Sequence, residues 1–233
     1  MEMTIMVRQL TLPVNLRDDA TFTNFYPGDN NHLVKALKAL LSGDGEQFIY
    51  LWGAPGVGRS HLLQACCHEF SDRQCSIVYL PLRSEHLTPE ILQGMEAMRL
   101  VCLDDIDAVL GQPQWEEALL HFYNRARDNG VKLIVSGNDL PPQLPCELAD
   151  LRSRLSWGLV FQVTGLSDEQ KLLALQMHAR HRGMHISCEV GQFLLRHLPR
   201  NMTELFKVLN KLDHASLVAK KRLTIPFIKR VLE

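Results

Sequence analysis

No run of the chain approaches the ~20 consecutive apolar residues a membrane-spanning helix requires. Its start, Met1 to Val14, has an acid at Glu2 and lacks the basic residues and apolar stretch of a secretory leader. Net charge is almost absent: 25 Lys and Arg stand against 26 Asp and Glu, a formal −1 at pH 7. That balance argues against a protein whose main work is gripping a phosphate backbone, although it leaves room for a local basic patch. The six cysteines, Cys66, Cys67, Cys75, Cys102, Cys146 and Cys188, contain no CxxC pair, which removes a zinc ribbon or a dithiol redox centre. Most fall in apolar runs and read as small buried thiols in a reducing compartment. Repeats and low-complexity tracts are lacking too. What remains, 46% hydrophobic and 22% charged residues, is ordinary globular composition, and the expectation is a cytoplasmic protein with no membrane partner.

Residues 1–20 carry Pro13 and no helical period, so they read as an extended arm. From Asn31 the positions Leu33, Val34, Leu37, Leu40 and Leu41 follow helical spacing up to a stop at Gly43. Short apolar runs then alternate with helical stretches: Phe48–Trp52, Ser76–Leu80, Leu100–Leu103, Leu133–Val135 and Leu159–Val163. Fully apolar runs separated by helices are the pattern of a parallel sheet covered on both faces. The intervening helices are expected at His61–Phe70, at Pro89–Met98 with Thr88 as cap, and at Trp115–Asp128 ended by Gly130. Past Thr164 the strands cease. Ser167 with Gln170 forms a capping box for a helix stopped near Gly183, Ser187 caps a second, Asn201 with Glu204 starts a third to about Ala219, and a short fourth follows from Pro226. The fold class is therefore α/β: an arm over 1–20, an αβα parallel-sheet domain over 21–164 and a small all-helical lid over 165–233.

Chemistry concentrates at the ends of the apolar runs. Gly53-Ala54-Pro55-Gly56-Val57-Gly58-Arg59-Ser60 lies between the run ending at Trp52 and the next helix. Glycines at this spacing let backbone N–H groups converge on phosphates at the positive end of a helix, and Ser60 is placed to ligate Mg²⁺. Arg59 stands where such loops carry lysine. Leu100-Val101-Cys102-Leu103-Asp104-Asp105 ends in two acids, one to hold the hydration shell of Mg²⁺ (Asp104) and one to orient water (Asp105). Leu133-Ile134-Val135-Ser136-Gly137-Asn138 places Asn138 at a third strand end. His178, His181 and His185 follow roughly helical spacing, but no acid or cysteine is in step with them, so a metal site is not expected there.

These motifs, in this order, resemble the AAA+ module of the bacterial replication initiator DnaA and its regulatory relatives, over essentially the whole chain from Thr21. Further matches are Phe22-Thr23-Asn24-Phe25 with Gly28 and Asn31, Leu103-Asp104-Asp105-Ile106, Ser153-Arg154 with Trp157-Gly158, Asn201 to Leu205, and the ending Leu223-Thr224-Ile225-Pro226-Phe227. The resemblance implies an adenine nucleotide with Mg²⁺, held by Phe22, Phe25 and Asn31 at the base, by Pro55, Gly56, Val57, Gly58, Arg59, Ser60 and His61 at the phosphates, and by Thr203 from the lid. It puts Asn138 at the sensor 1 position and Arg154 at an arginine finger, which reaches into a neighbour's site. Thr203 replaces the family's sensor 2 arginine, with Arg200 one helical turn before. Together with Arg59 this removes groups that favour a γ-phosphate, so ADP is the expected nucleotide and weak intrinsic turnover the expected behaviour.

Gln9-Leu10-Thr11-Leu12-Pro13-Val14 resembles the short motif by which bacterial proteins bind the replicative sliding clamp, with Gln9 as polar anchor and Leu10, Leu12, Pro13 and Val14 as apolar contacts. The chain stops after the lid, where DnaA continues into a helix-turn-helix, so no direct sequence-specific DNA binding is expected. The basic cluster Lys220-Lys221-Arg222 reads as a solvated helix end. The implied activity is negative regulation of replication initiation, with DnaA and the clamp as partners and a homodimer that hides the finger as a further form. The alternative is an autonomous AAA+ ATPase or helicase-loading motor, which would turn over ATP unaided.

Overall fold

The computed structural model describes residues 16–71, 76–199, 201–219 and 223–232. Helix α1 (Asn31–Ser42) ends at Gly43, whose φ of 94° lets its N–H reach the carbonyls of Ala39 and Leu40. Five strands follow, with an α-helix in every connection but the one from β2 to β3: β1 (Phe48–Trp52), α2 (Arg59–Ser71), β2 (Ile77–Pro81), β3 (Leu100–Asp104), α3 (Pro113–Asp128), β4 (Lys132–Gly137), α4 (Ala149–Leu155) and β5 (Leu159–Gln162). The strands form one sheet in the order β2-β3-β4-β1-β5, and every pairing is parallel.

Alternation along the strands divides the core in two. Phe48, Tyr50, Val101, Leu103, Leu133 and Val135 point to one face, where they meet Trp115, Leu119 and Phe122 of α3 and Leu151 and Leu155 of α4. Ile49, Leu51, Leu100, Cys102 and Ile134 point to the other, against Leu33, Leu37 and Leu40 of α1 and Leu62, Leu63 and Cys66 of α2. Each fully buried Leu or Ile contributes about 1.5–3 kcal/mol relative to leaving it in water, which is why runs with no polar alternation form the sheet.

Beyond β5 four helices, α5 (Asp168–His181), α6 (Cys188–His197), α7 (Met202–Ala219) and α8 (Ile225–Leu232), share a third core built on Leu175, Val190, Leu194, Leu205, Leu209 and Ile228. The Ser167–Gln170 capping box is present with both bonds, Ser187 caps α6 through the N–H of Val190, and the Asn201 side chain accepts from the N–H of Glu204.

Two local expectations need correction. Residues 89–98 are not one helix: Gly94, at φ 79°, separates two short 3-10 turns, Pro89–Leu92 and Met95–Ala97, and Thr88 makes no capping bond. The described end of the arm is not extended. Ala20 closes a turn onto the carbonyl of Arg17 and is fully buried, and the Arg17 N–H donates to Gln64 of α2. Cys188 is exposed, unlike Cys66, Cys67, Cys102 and Cys146. No helix among the described residues is long and apolar enough to cross a membrane. Gln9, Leu10, Leu12, Pro13, Val14, Cys75, Arg200 and the 220–222 cluster lie outside the described residues.

Candidate nucleotide site

The parallel sheet brings the carboxyl ends of β1, β3 and β4 to one edge, where open α/β sheets bind ligands. Here a cleft of about 560 Å³ is lined by the 55–61 loop, by Asn24, Phe25 and Asn30, by Arg83 and Asp105, and by Lys171, Asn201 and Thr203 from the helical part. The loop needs its glycines. A Cβ on Gly53 would sit 2.6 Å from the Val163 carbonyl oxygen, and one on Gly58, at φ 110°, would be 3.0 Å from the Phe25 ring. The loop feeds α2, whose first residues are Arg59 and Ser60, so orphan N–H groups face the cleft.

Arg59 does not lie along the loop toward solvent. It is 5% exposed, and its Nη2 donates to Asp105 Oδ1 at 3.0 Å and to Asn138 Oδ1 at 2.8 Å. Its Nη1 is buried without a partner, an orphaned donor in a residue that borders the cleft, which suits an anionic ligand. Asp105 is saturated: its second oxygen accepts Arg83 Nε at 2.6 Å, and its N–H donates to Ser136 Oγ at 2.9 Å. This residue holds φ 56°, rare for a side chain other than glycine. Asn138 is oriented by Asp107, which accepts both its backbone N–H (2.6 Å) and its Nδ2 (2.9 Å). Burial pushes the Asp107 carboxyl above the usual carboxylate range, against the Asn138 N–H.

Asp104 is 3% exposed, with Ser136 Oγ donating to one oxygen and the Tyr79 hydroxyl to the other at 2.6 Å. Burial, then the Asp104 carboxylate, raises the Tyr79 phenol. Among the described residues no three His, Cys, Asp or Glu side chains cluster as a metal-ligand set.

Phe25 and His61 meet at the cleft, ring centroids 5.6 Å apart, and His61 Nε2 donates to the Thr21 carbonyl. Burial holds the His61 pKa down, against its bond to the Thr21 carbonyl. Two base-pocket expectations shift. Phe22 packs on the α1–α2 side of the core beneath Lys38, and does not line the cleft. Asn31 is exposed and bonds to the Gly28 carbonyl; its neighbour Asn30, 4% exposed, is the cleft residue and clasps Thr164 through N–H and hydroxyl. The first residue of α1 faces water, and the residue before it turns inward.

Sequence reasoning missed Arg83, Asp107, Ser136 and Tyr79. Arg83 follows β2 by two residues, and only the pairing of Pro81 with Asp104 brings it to Asp105. Ser136 alone had a readable signal, a single polar residue inside an apolar run.

Arg154 stands elsewhere. It is the penultimate residue of α4, three residues before Trp157, and Gly158 abuts the Phe48 carbonyl at the amino end of β1. The phosphate loop leaves the carboxyl end of that strand, so ~13 Å of strand rise separates the two. The Arg154 guanidinium lies 4.1 Å from the Trp157 ring centroid.

A glycine loop feeding a helix beside an acid-ended strand, with a polar residue on the strand between and a helical lid over the cleft, defines a P-loop module of the AAA+ class. Residues 16–162 match the bacterial DnaA ATPase domain and residues 168–232 the lid domain of Hda. This chain belongs to the bacterial DnaA ATPase-domain family and is an Hda/DnaA-related protein. Among solved structures, domain III of the Thermotoga maritima replication initiation protein DnaA superposes with a TM-score of 0.78 at 19% identity, over 94% of this chain and 98% of that one. AMPPCP-bound DnaA from Aquifex aeolicus gives 0.71 at 20% identity, over 84% and 66%. The Thermotoga maritima RuvB branch migration motor gives 0.66 at 15%, over 91% and 72%. At these identities the likeness is one of fold.

Proposed function

We propose that this chain is an Hda-like negative regulator of replication initiation, which promotes hydrolysis of the ATP held by DnaA while its own nucleotide acts as a conformational ligand. The carrying observation is that Arg154, with no acid on its guanidinium among the described residues, closely precedes the Gly158 turn at the amino end of β1, whereas this chain's own phosphate loop leaves the carboxyl end of that strand. A cation so placed serves a neighbour's phosphate.

At its own site an adenine nucleotide, ADP in this reading, is bound by the 55–61 N–H groups and the orphaned Arg59 Nη1, with Phe25, Asn30 and Thr203 toward the rest of the molecule. The residues fit Mg²⁺ as well: Ser60 would hold it directly, and buried, hydroxyl-bonded Asp104 would meet its hydration shell. Mg²⁺ would neutralise phosphate charge there. Turnover is disfavoured because Asp105, the acid that would orient water, has both oxygens engaged by arginines.

At the partner's site, water attacks the γ-phosphorus of DnaA-bound ATP, the bond to the β–γ bridging oxygen breaks, and ADP and phosphate leave. Negative charge builds on the transferring and bridging oxygens, and Arg154 stabilises it with parallel N–H donors. The Gln9–Val14 segment would tether the complex to the sliding clamp, and self-association over the nucleotide edges would cover Arg154 and withhold it.

The test is the ADP fraction on DnaA over time, with clamp loaded on DNA. Arg154→Ala is expected to lower stimulation by ~10³-fold or more, with nucleotide affinity and clamp binding retained. Arg154→Lys should rescue little, because a point charge does not reproduce the planar fork. Equal stimulation by wild type and Arg154→Ala would remove the finger and the reading built on it.

A further inference from the structure

A finger must be held still before it meets a phosphate, and no acid does so here. Arg152, one turn-half earlier on α4, is spent on the Cys146 carbonyl, and Arg127 on α3 pairs with Asp128 while its guanidinium lies at 5.6 Å from the Trp157 ring centroid, farther than that of Arg154. The Arg154 guanidinium takes no hydrogen bond or ion pair among the described residues; its contact is the face of Trp157 at 4.1 Å from the centroid. The Trp157 N–H donates to the Arg154 carbonyl at 3.0 Å, closing the turn that brings ring and guanidinium together.

The indole itself is well placed to serve as a fixed platform. Its edge-to-face neighbour is Tyr123, 6.4 Å between centroids at 77°, and Tyr123 in turn stands on Phe48 at 5.1 Å. Phe48 and Tyr123 are each 6% exposed, so they belong to the packed core, whereas Trp157 is 43% exposed. Gly158 pins the other side: at φ 74°, a Cβ there would fall 2.3 Å from the Phe48 carbonyl oxygen. The loop therefore lies flush on β1 with its ring turned out to solvent beside Arg154.

We infer that Trp157 is a positioning residue for Arg154, an aromatic platform that orients the guanidinium toward a partner subunit's phosphate while leaving its N–H donors free. This rests on the reading of Arg154 as a finger acting in trans. Stacking engages the π face of the guanidinium and none of its donors. A carboxylate in the same place would occupy the fork and cancel the charge that the transition state needs. The preference for a ring over an acid is what a cation needs when it must be ordered in the free protein and unpaired on arrival.

The experiment uses the full chain with DnaA and clamp on DNA. Stimulated hydrolysis is measured across a range of concentrations for wild type, Arg154→Ala, Trp157→Phe, Trp157→Leu and Trp157→Met. The two aliphatic variants supply apolar volume without a π face. They are expected to lower the maximal rate by about tenfold with the half-saturating concentration unchanged, while Trp157→Phe recovers most of the rate. Thermal unfolding of each variant identifies any that fails to fold, and Phe against whichever aliphatic variant folds then decides. A wild-type maximal rate in the aliphatic variants with Arg154→Ala inactive would overturn the positioning role and leave the finger standing. Full activity of Arg154→Ala would overturn the finger itself. Equal loss in Phe, Leu and Met, or a change confined to the half-saturating concentration, would make Trp157 a packing or partner-contact residue and overturn the inference.

Discussion

In the proposed reading, Arg59 and Arg83 are the residues by which the site would keep phosphate-binding geometry and withhold chemistry. Each guanidinium donates to one oxygen of Asp105, and that of Arg59 also donates to the side-chain Oδ1 of Asn138. An acid that accepts two charge-assisted bonds is a poor partner for water, because the water must compete with bonds roughly twice as strong as neutral ones. The strained φ of Asp105 is tolerated because its N–H, and both oxygens, have partners that over-determine it. Combining Arg59→Lys with Arg83→Ala should therefore free the carboxylate and restore a compact cation at the phosphates. The intrinsic ATP hydrolysis of the purified double variant is expected to rise at least about tenfold, a fraction of what a general base supplies. Phosphate release at saturating ATP measures it, and an unchanged rate would show that Asp105 does not limit turnover.

At the scale of elements, α4 is only seven residues long and carries Arg154 at its end, so its placement depends on what holds its entry. Glu116 in the first turn of α3 does this. It is 1% exposed, and its carboxylate accepts the N–H groups of Gly111 (2.7 Å), Glu147 (3.0 Å) and Leu148 (2.6 Å), the last being the residue that precedes α4. Burial raises the carboxyl, but the three N–H bonds outweigh it and hold the pKa below the ordinary value. Glu116→Ala orphans three donors and should destabilise the chain by roughly 3–5 kcal/mol, read as a lower urea midpoint at unchanged slope. A folded-state pKa below the unfolded one contributes stability above the unfolded pKa that is lost as pH falls through the folded value. The gap between wild type and Glu116→Gln should accordingly narrow in acid. A wild-type midpoint for Glu116→Ala would mean that the two loops are held by other contacts.

Across the whole molecule, the helical part is tied to the sheet domain through a short segment that also borders the cleft. His178 of α5 donates Nε2–H to the Asn24 carbonyl at 2.7 Å, His181 bonds to the Asn24 side chain, and the His178 ring lies 3.9 Å from that of Phe206. Burial depresses the His178 pKa to about 4, with His61 and Arg182 adding to the shift and Asp19 opposing it. The neutral ring is the one that fits. Below the ordinary histidine value of about 6.5 the unfolded chain binds the proton and the folded chain does not, so stability falls from about pH 6.5 toward pH 4. Thermal midpoints recorded from pH 7.5 to 4.5 should drop more steeply for wild type than for His178→Gln, by an amount corresponding to roughly 2 kcal/mol at the acid end. Parallel pH profiles would show that His178 does not carry the acid sensitivity of this junction.

Features that rest on local chemistry were legible in the chain of residues. The turn at Gly53–Ser60, the acid-ended run at 100–105, the stop at Gly43 and the caps at Ser167, Ser187 and Asn201 each depend on residues within one helical turn, and all stand where they were read. The span 89–98 failed because Gly94 adopted a left-handed conformation that helical spacing does not reveal. Packing between distant elements is what carries Arg59 to Asn138, 79 residues away, Arg83 to Asp105 across two strand ends, Asn30 and not Asn31 into the cleft, and the turn after Arg154 to the amino end of β1. Those contacts follow from the strand order β2-β3-β4-β1-β5. Strand order is set by the packing of whole layers, and no local period in the chain carries it.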